Sequence, residues 1–216
     1  MRNKRLLDRD STWGFILLLP NIIVFLVFSL IPLIATFFIS FNDWDLLTPM
    51  QWVGLANYKE LFKDDIFLKS LWNTIYFTLG SVPIGIIISL FLAVVINQRI
   101  KGIKIFRAAF FLPVIASWVA VGLMWMWMYD KQFGLLNYFL DLVGIQGPPW
   151  LSSIKWAMPS IIITSVWKGV GFNMMLFLSG LQGIPESYYE AADIDGARWF
   201  GKFVHITIPF PILHFL

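Results

Sequence analysis

The chain has 216 residues, 58% of them hydrophobic and 13% charged, with a mean hydropathy of +0.74. Soluble domains carry roughly 25% charged residues, so an all-round water-exposed surface is excluded and a membrane protein is implied. The net charge of +3 comes from basic residues at the ends of apolar runs rather than on one face, which excludes a nucleic-acid interface. With no cysteine and only His205 and His214, disulfides, iron–sulfur clusters, thiolate zinc and histidine-rich metal sites are excluded too.

A membrane-spanning helix needs about 20 mostly apolar residues. Taken in chain order, the stretches 12–40, 71–96, 106–129 and 157–180 meet this length, and the last is interrupted only by Lys168. Arg2, Lys4 and Arg5 precede the first stretch as in a secretory signal. Its apolar part is too long for one, however, and no small-residue cleavage site follows, so it reads as a retained helix. Pro20, Pro32, Pro83 and Pro113 lie inside these runs, which membrane helices tolerate when neighbours satisfy the freed carbonyls. A last apolar run, 206–216, is too short to cross. The expected architecture is an all-α integral membrane protein of one domain, 1–216, with four complete transmembrane helices and the start of a fifth. On this reading the domain is C-terminally incomplete and is expected not to transport as it stands.

Basic residues set the orientation. With the N-terminus in the cytoplasm, the inner segments hold Arg2, Lys4, Arg5, Arg9, Arg99, Lys101, Lys104, Arg107, Arg198 and Lys202, ten in all. The outer segments hold Lys59, Lys63, Lys69, Lys131 and Lys155, which makes five. The bias places 41–69 and 130–155 outside and 181–205 in the cytoplasm. Trp44, Trp52, Trp72 and Trp150 fall near the outer ends of the runs, as an interfacial belt would.

The cytoplasmic loop reads GIPESYYEAADIDGARWFGKFVHITIP over Gly183–Pro209. Pro185 suits the first turn of a helix, Glu186 favours its positive end, and Gly196 can take the left-handed conformation that ends it. The expected form is helix, glycine corner, second helix over Ala197–His205. Within it, GARWFGK has the spacing of a phosphate-binding loop. Such a loop needs a strand before it, a helix after it and a hydroxyl residue for magnesium. Here a helix precedes Gly196 and Phe203 stands in the hydroxyl position, so the match reads as accidental.

The pattern formed by Glu190, Ala191, Ala192, Gly196, Ile206 and Pro209 resembles the signature of membrane subunits of binding-protein-dependent ABC importers, with Ile208 where leucine is usual. VGLANY at Val53–Tyr58, Asn73–Thr74, FRAAFFLP at Phe106–Pro113 and VWKGVGFNM at Val166–Met174 resemble the sugar branch, the maltose- and glycerol-3-phosphate-type permeases. The resemblance implies a type I importer permease fold in a bacterial or archaeal cell membrane. It also implies a second permease subunit, ATP-binding cassette ATPase subunits, and an extracytoplasmic solute-binding protein. ATP and magnesium would be held by the ATPase and no cofactor by this chain, which would not itself be an enzyme. By the same resemblance Glu190, Ala191, Ala192, Asp195 and Gly196 would form the coupling helix that fits the ATPase.

Other side chains have two readings. Lys168 sits about midway along 157–180, where a charge costs roughly 2.5–3.5 kcal/mol; it either faces a translocation cavity or makes a structural pair. Asn173 is either a solute contact in that cavity or an interhelical hydrogen bond. Trp125 and Trp127 either stack on sugar rings or pack among helices. Asp193 and Asp195 read as a solvated face, and Lys101, Lys104 and Arg107 as topological anchors. A secondary transporter, or a membrane assembly protein without transport activity, would share the hydrophobicity but would not need the loop signature.

Overall fold

The structure is a computed structural model that describes residues 4–98 and 102–209, with side chains from Trp13 onward. Arg2, Arg99 and Lys101, and the run 210–216 that holds most of the expected fifth helix, lie outside the described residues. The chain parts into two compact units, Met1–Leu71 and Trp72–Leu216.

In the first unit, α1 (Lys4–Phe25) passes through a π turn at Leu26–Leu30 into α2 (Ile31–Ile39). The cause is Pro32, which has no N–H to return to Phe28. The ladder widens just before it, with the Ile31 N–H donating to the Leu26 carbonyl. Trp13–Ile39 is long and apolar enough to cross a bilayer. It leads into a two-residue antiparallel ladder, β1 (Asn42–Asp43) with β2 (Gln51–Trp52), a small departure from the all-α expectation. Phe41 stacks on Trp52 at 5.5 Å. Asn57 of α3 (Ala56–Leu61) donates to the Ser40 and Asn42 carbonyls, at 3.0 and 2.9 Å. At the hairpin tip the Asp45 carboxylate accepts the Leu47 and Thr48 N–H groups and the Thr48 hydroxyl. These bonds hold its carboxyl down at about 2.

The second expected span starts earlier than 71. Helix α4 covers Asp65–Ile96, because the Asp64 carboxylate accepts the N–H groups of Ile66 and Phe67 and Asp65 occupies the first turn. It stays helical through Pro83.

The third expected span is corrected. Instead of one helix over 106–129 there are two, α5 (Ile103–Ile115) and α6 (Trp118–Met128), bent by 100° at the residues between them. Ala116 and Ser117 are extended, and the Ser117 hydroxyl accepts the Ala120 N–H at 3.2 Å to start α6. Among the described residues three helices are long and apolar enough to cross, or four if the bent pair is one span.

The segment 130–155 carries α7 (Leu135–Leu142) and is tied up by Asn137. Its amide donates to the Lys131 carbonyl at 3.1 Å and accepts the Trp150 indole N–H at 2.7 Å. Trp150 in turn lies between Tyr129 and Trp156, with centroids 5.6 and 5.4 Å away. The fourth span, α8, covers Ile154–Gln182 and packs on α5 and on the second half of α4. The buried Ser89 hydroxyl donates to the Val170 carbonyl at 3.2 Å. At Gly171 a Cβ would lie 2.0 Å from the Phe110 carbonyl oxygen, so only glycine fits there. At the C-terminal end of α8, Ala93, Ile96, Met174, Leu178, Leu181 and Ile184 form a buried cluster.

Candidate functional site

The loop after α8 is built from its residues as a corner between two helices. Pro185 is extended (φ −61°, ψ 137°) and caps α9 (Glu186–Ile194) rather than occupying its first turn. Glu186 then stands at the positive end of the helix. The C-terminal end closes as a Schellman motif: Gly196 N–H donates to the Asp193 carbonyl at 3.1 Å and Ala197 N–H to the Ala192 carbonyl at 2.8 Å. That closure requires the left-handed backbone that Gly196 adopts, with φ +73°. A second short helix, α10 (Trp199–Lys202), runs into a π turn at Phe203–Thr207. The expected helix over Ala197–His205 is therefore shorter and changes pitch.

The two arms are tied to each other. Lys202 Nζ donates to the Asp193 carboxylate, so Asp193 is paired rather than merely solvated. Trp199 stacks on Phe203 at 5.2 Å, with ring planes 6° apart. The Tyr189 hydroxyl meets that of the buried Thr207 at 3.2 Å, and Tyr189 packs against the buried cluster at the C-terminal ends of α4 and α8. Of the residues grouped by the loop pattern, Glu190, Ala191, Asp195 and Gly196 are exposed, whereas Ala192 is half-buried on the face it shares with Tyr189. Ile194, Trp199 and Phe200 of the same loop are exposed as well; they carry no motif that would have singled them out.

The intramembrane polar residues separate. Asn173 is half-buried and lines a cavity of about 200 Å³ with Ser81, Gly85, Ser165 and Gly169. Lys168 is buried, at 6% exposure. Its ammonium donates to the carbonyls of Pro113, Val114 and Ala116 at 3.0, 3.3 and 2.7 Å. It also lies 4.8 Å from the centroid of the Trp118 ring. Trp125 is buried against Tyr129 and Trp167, whereas Trp127 is exposed. Trp125 also lines a cavity of about 270 Å³ with Trp118, Tyr129 and Thr164. A third, apolar cavity of about 810 Å³ opens between α4, α5, α6 and α8.

Known proteins are similar in sequence and in fold. Residues 55–215 match the family described as binding-protein-dependent transport system inner membrane component. The chain is 40% identical over 220 residues to the "Probable ABC transporter permease protein YesP" of Bacillus subtilis (strain 168), covering 100% of this chain and 71% of that protein. It is 36% identical over 202 residues to the trehalose/maltose transport system permease protein MalF of Thermococcus litoralis, covering 93% and 68%. Among solved structures it resembles a chain of a bacterial alginate ABC transporter in complex with an alginate pentasaccharide-bound periplasmic protein. That match has a TM-score of 0.78 at 25% identity and covers 97% of this chain and 71% of that one.

Proposed function

The chain belongs to the inner membrane components of binding-protein-dependent transport systems, and on that premise we propose that it is the transmembrane subunit of an ATP-driven importer moving a sugar or sugar-like solute into the cytoplasm. The solute class rests on relatives named for trehalose/maltose and lactose transport and on the alginate transporter. The observation that carries the mechanism is the exposed surface of α9 and its closing turn. Glu190, Ala191, Ala192, Asp195 and Gly196 stand on a short helix closed by its own Schellman turn, three residues beyond the end of α8. A rigid, solvent-facing helix joined so closely to a spanning helix is a handle for a partner that closes and opens.

In this reading an ATPase subunit binds ATP and magnesium and grips α9, and its closure tilts α8. A second permease subunit completes the pathway, and a solute-binding protein delivers from the outer side. The N-terminus and the loop lie in the cytoplasm. The cavity beside Asn173 supplies an amide and two serine hydroxyls on the way through, groups suited to a polyol.

The test is reconstitution with the ATPase, the second permease and the binding protein. Gly196→Val, which a left-handed backbone resists, and Glu190→Ala are expected to abolish or weaken solute-stimulated ATP hydrolysis. Lys202→Ala removes one surface ion pair, worth roughly 0–1 kcal/mol, and leaves hydrolysis nearly intact. Wild-type stimulation in Gly196→Val sinks the coupling role. Nucleotide binding by the isolated chain that Lys202→Ala removes would restore the phosphate loop. Impermeant labelling of single cysteines at Asp64 but not Asp195 in intact cells is the result expected for the orientation.

A further inference from the structure

Helix α5 ends in mid-chain, and its end needs a partner. The last carbonyls of any helix lack an N–H from their own ladder, and at membrane depth water does not supply one. Here one side chain from another helix does. The Lys168 ammonium has three N–H groups, and they are directed at three carbonyls, those of Pro113, Val114 and Ala116. Its charge lies at the negative end of α5 and beside the ring of Trp118, on the far side of the break. Nothing remains on the ammonium to meet a solute, and Lys168 lines none of the three cavities described above.

One turn along the same helix, Gly171 lets the α5 backbone approach at Phe110. Helix α5 is thus fastened to α8 at two adjacent turns, once by charge and once by a backbone contact. Helix α8 then runs into α9 through residues 183–185.

We infer that Lys168 is a positioning residue: it caps the broken end of α5, fixes the angle at which α6 departs, and makes α5 move with α8 when the loop is pulled. The movement rests on the importer reading. The cap itself does not, so the two can fail separately.

The experiment uses the whole complex, with spin labels on cysteines at the exposed Leu112 of α5 and Leu123 of α6; the native chain has no cysteine to interfere. Lys168→Met is expected to broaden or shift the distance between the labels. It should lower uptake roughly tenfold while leaving solute selectivity and the half-saturating concentration of loaded binding protein unchanged. Lys168→Cys treated with 2-aminoethyl methanethiosulfonate, which restores an ammonium, should recover uptake in the otherwise cysteine-free chain. Unchanged label distances in Lys168→Met overturn the cap. Altered distances with unchanged uptake overturn the transmission alone. Altered selectivity makes Lys168 a solute contact and overturns the inference. If Lys168→Met does not survive extraction, Lys168→Gln, whose amide carries no charge and only two N–H groups, leaves at least one of the three carbonyls unmet; it must give the same broadening, and wild-type distances there overturn the inference.

Discussion

Helix α4 and the α5–α6 pair both carry a proline, and they respond differently. Pro83 sits in the interior of a 32-residue helix that continues past it. Pro113 is followed three residues later by a 100° break. A proline removes one N–H and crowds one carbonyl, which loosens a single rung, so it does not account for the difference. What distinguishes the second stretch is its surroundings. Ser117 caps a new helix, and Lys168 takes the carbonyls the old one leaves behind. Around Pro83, Gly80 lies against Ile162 of α8 and Ser89 donates to the Val170 carbonyl, contacts that favour close packing. A break inside a bilayer therefore needs something to start the next helix and something to finish the last one.

The largest effect expected from testing this contrast is at the contact that brings the lysine into place. Gly171→Val drives side-chain atoms into the Phe110 carbonyl, and overpacking against backbone costs about 3 kcal/mol or more. It should abolish the folded monodisperse peak in size-exclusion chromatography. Next comes Ser117→Ala, which loses the cap of α6; a cost of roughly 0.5–2 kcal/mol should show as a lower melting temperature in detergent. The smallest effect separates the two explanations. Pro113→Ala should leave the Leu112–Leu123 label distance unchanged and alter stability by less than about 1 kcal/mol, because the cap and the lysine remain. Pro83→Ala should be equally mild. A straightened 103–128 helix in Pro113→Ala would mean that the proline alone makes the break.

These features were unequally legible in the sequence. The long apolar stretches and the loop were plain, because span length and the glycine at a helix end are local requirements. The resemblance carried by Glu190–Gly196 and its flanking blocks led to the family that the comparisons show. The break at Ala116–Ser117 was not legible, since 108–129 contains no charge or glycine pair to mark it. Its cause lies 52 residues away, in Lys168. A lone lysine in an apolar run announced that something must meet it, and only the fold identifies the carbonyls. The Asn137–Trp150 knot was hidden for the same reason, being a contact across 13 residues that run from α7 into irregular chain.

The loop from Ile184 to Thr207 is closed on itself, by Tyr189 on Thr207, Lys202 on Asp193, Trp199 on Phe203 and the turn at Gly196. A partner that takes this surface meets a segment already folded, so little conformational entropy is lost on docking. Encounter rather than folding then sets the rate. With the exposed carboxylates of Glu186, Glu190 and Asp195 against one exposed guanidinium, Arg198, association should be fast with a basic groove and should slow as ionic strength rises.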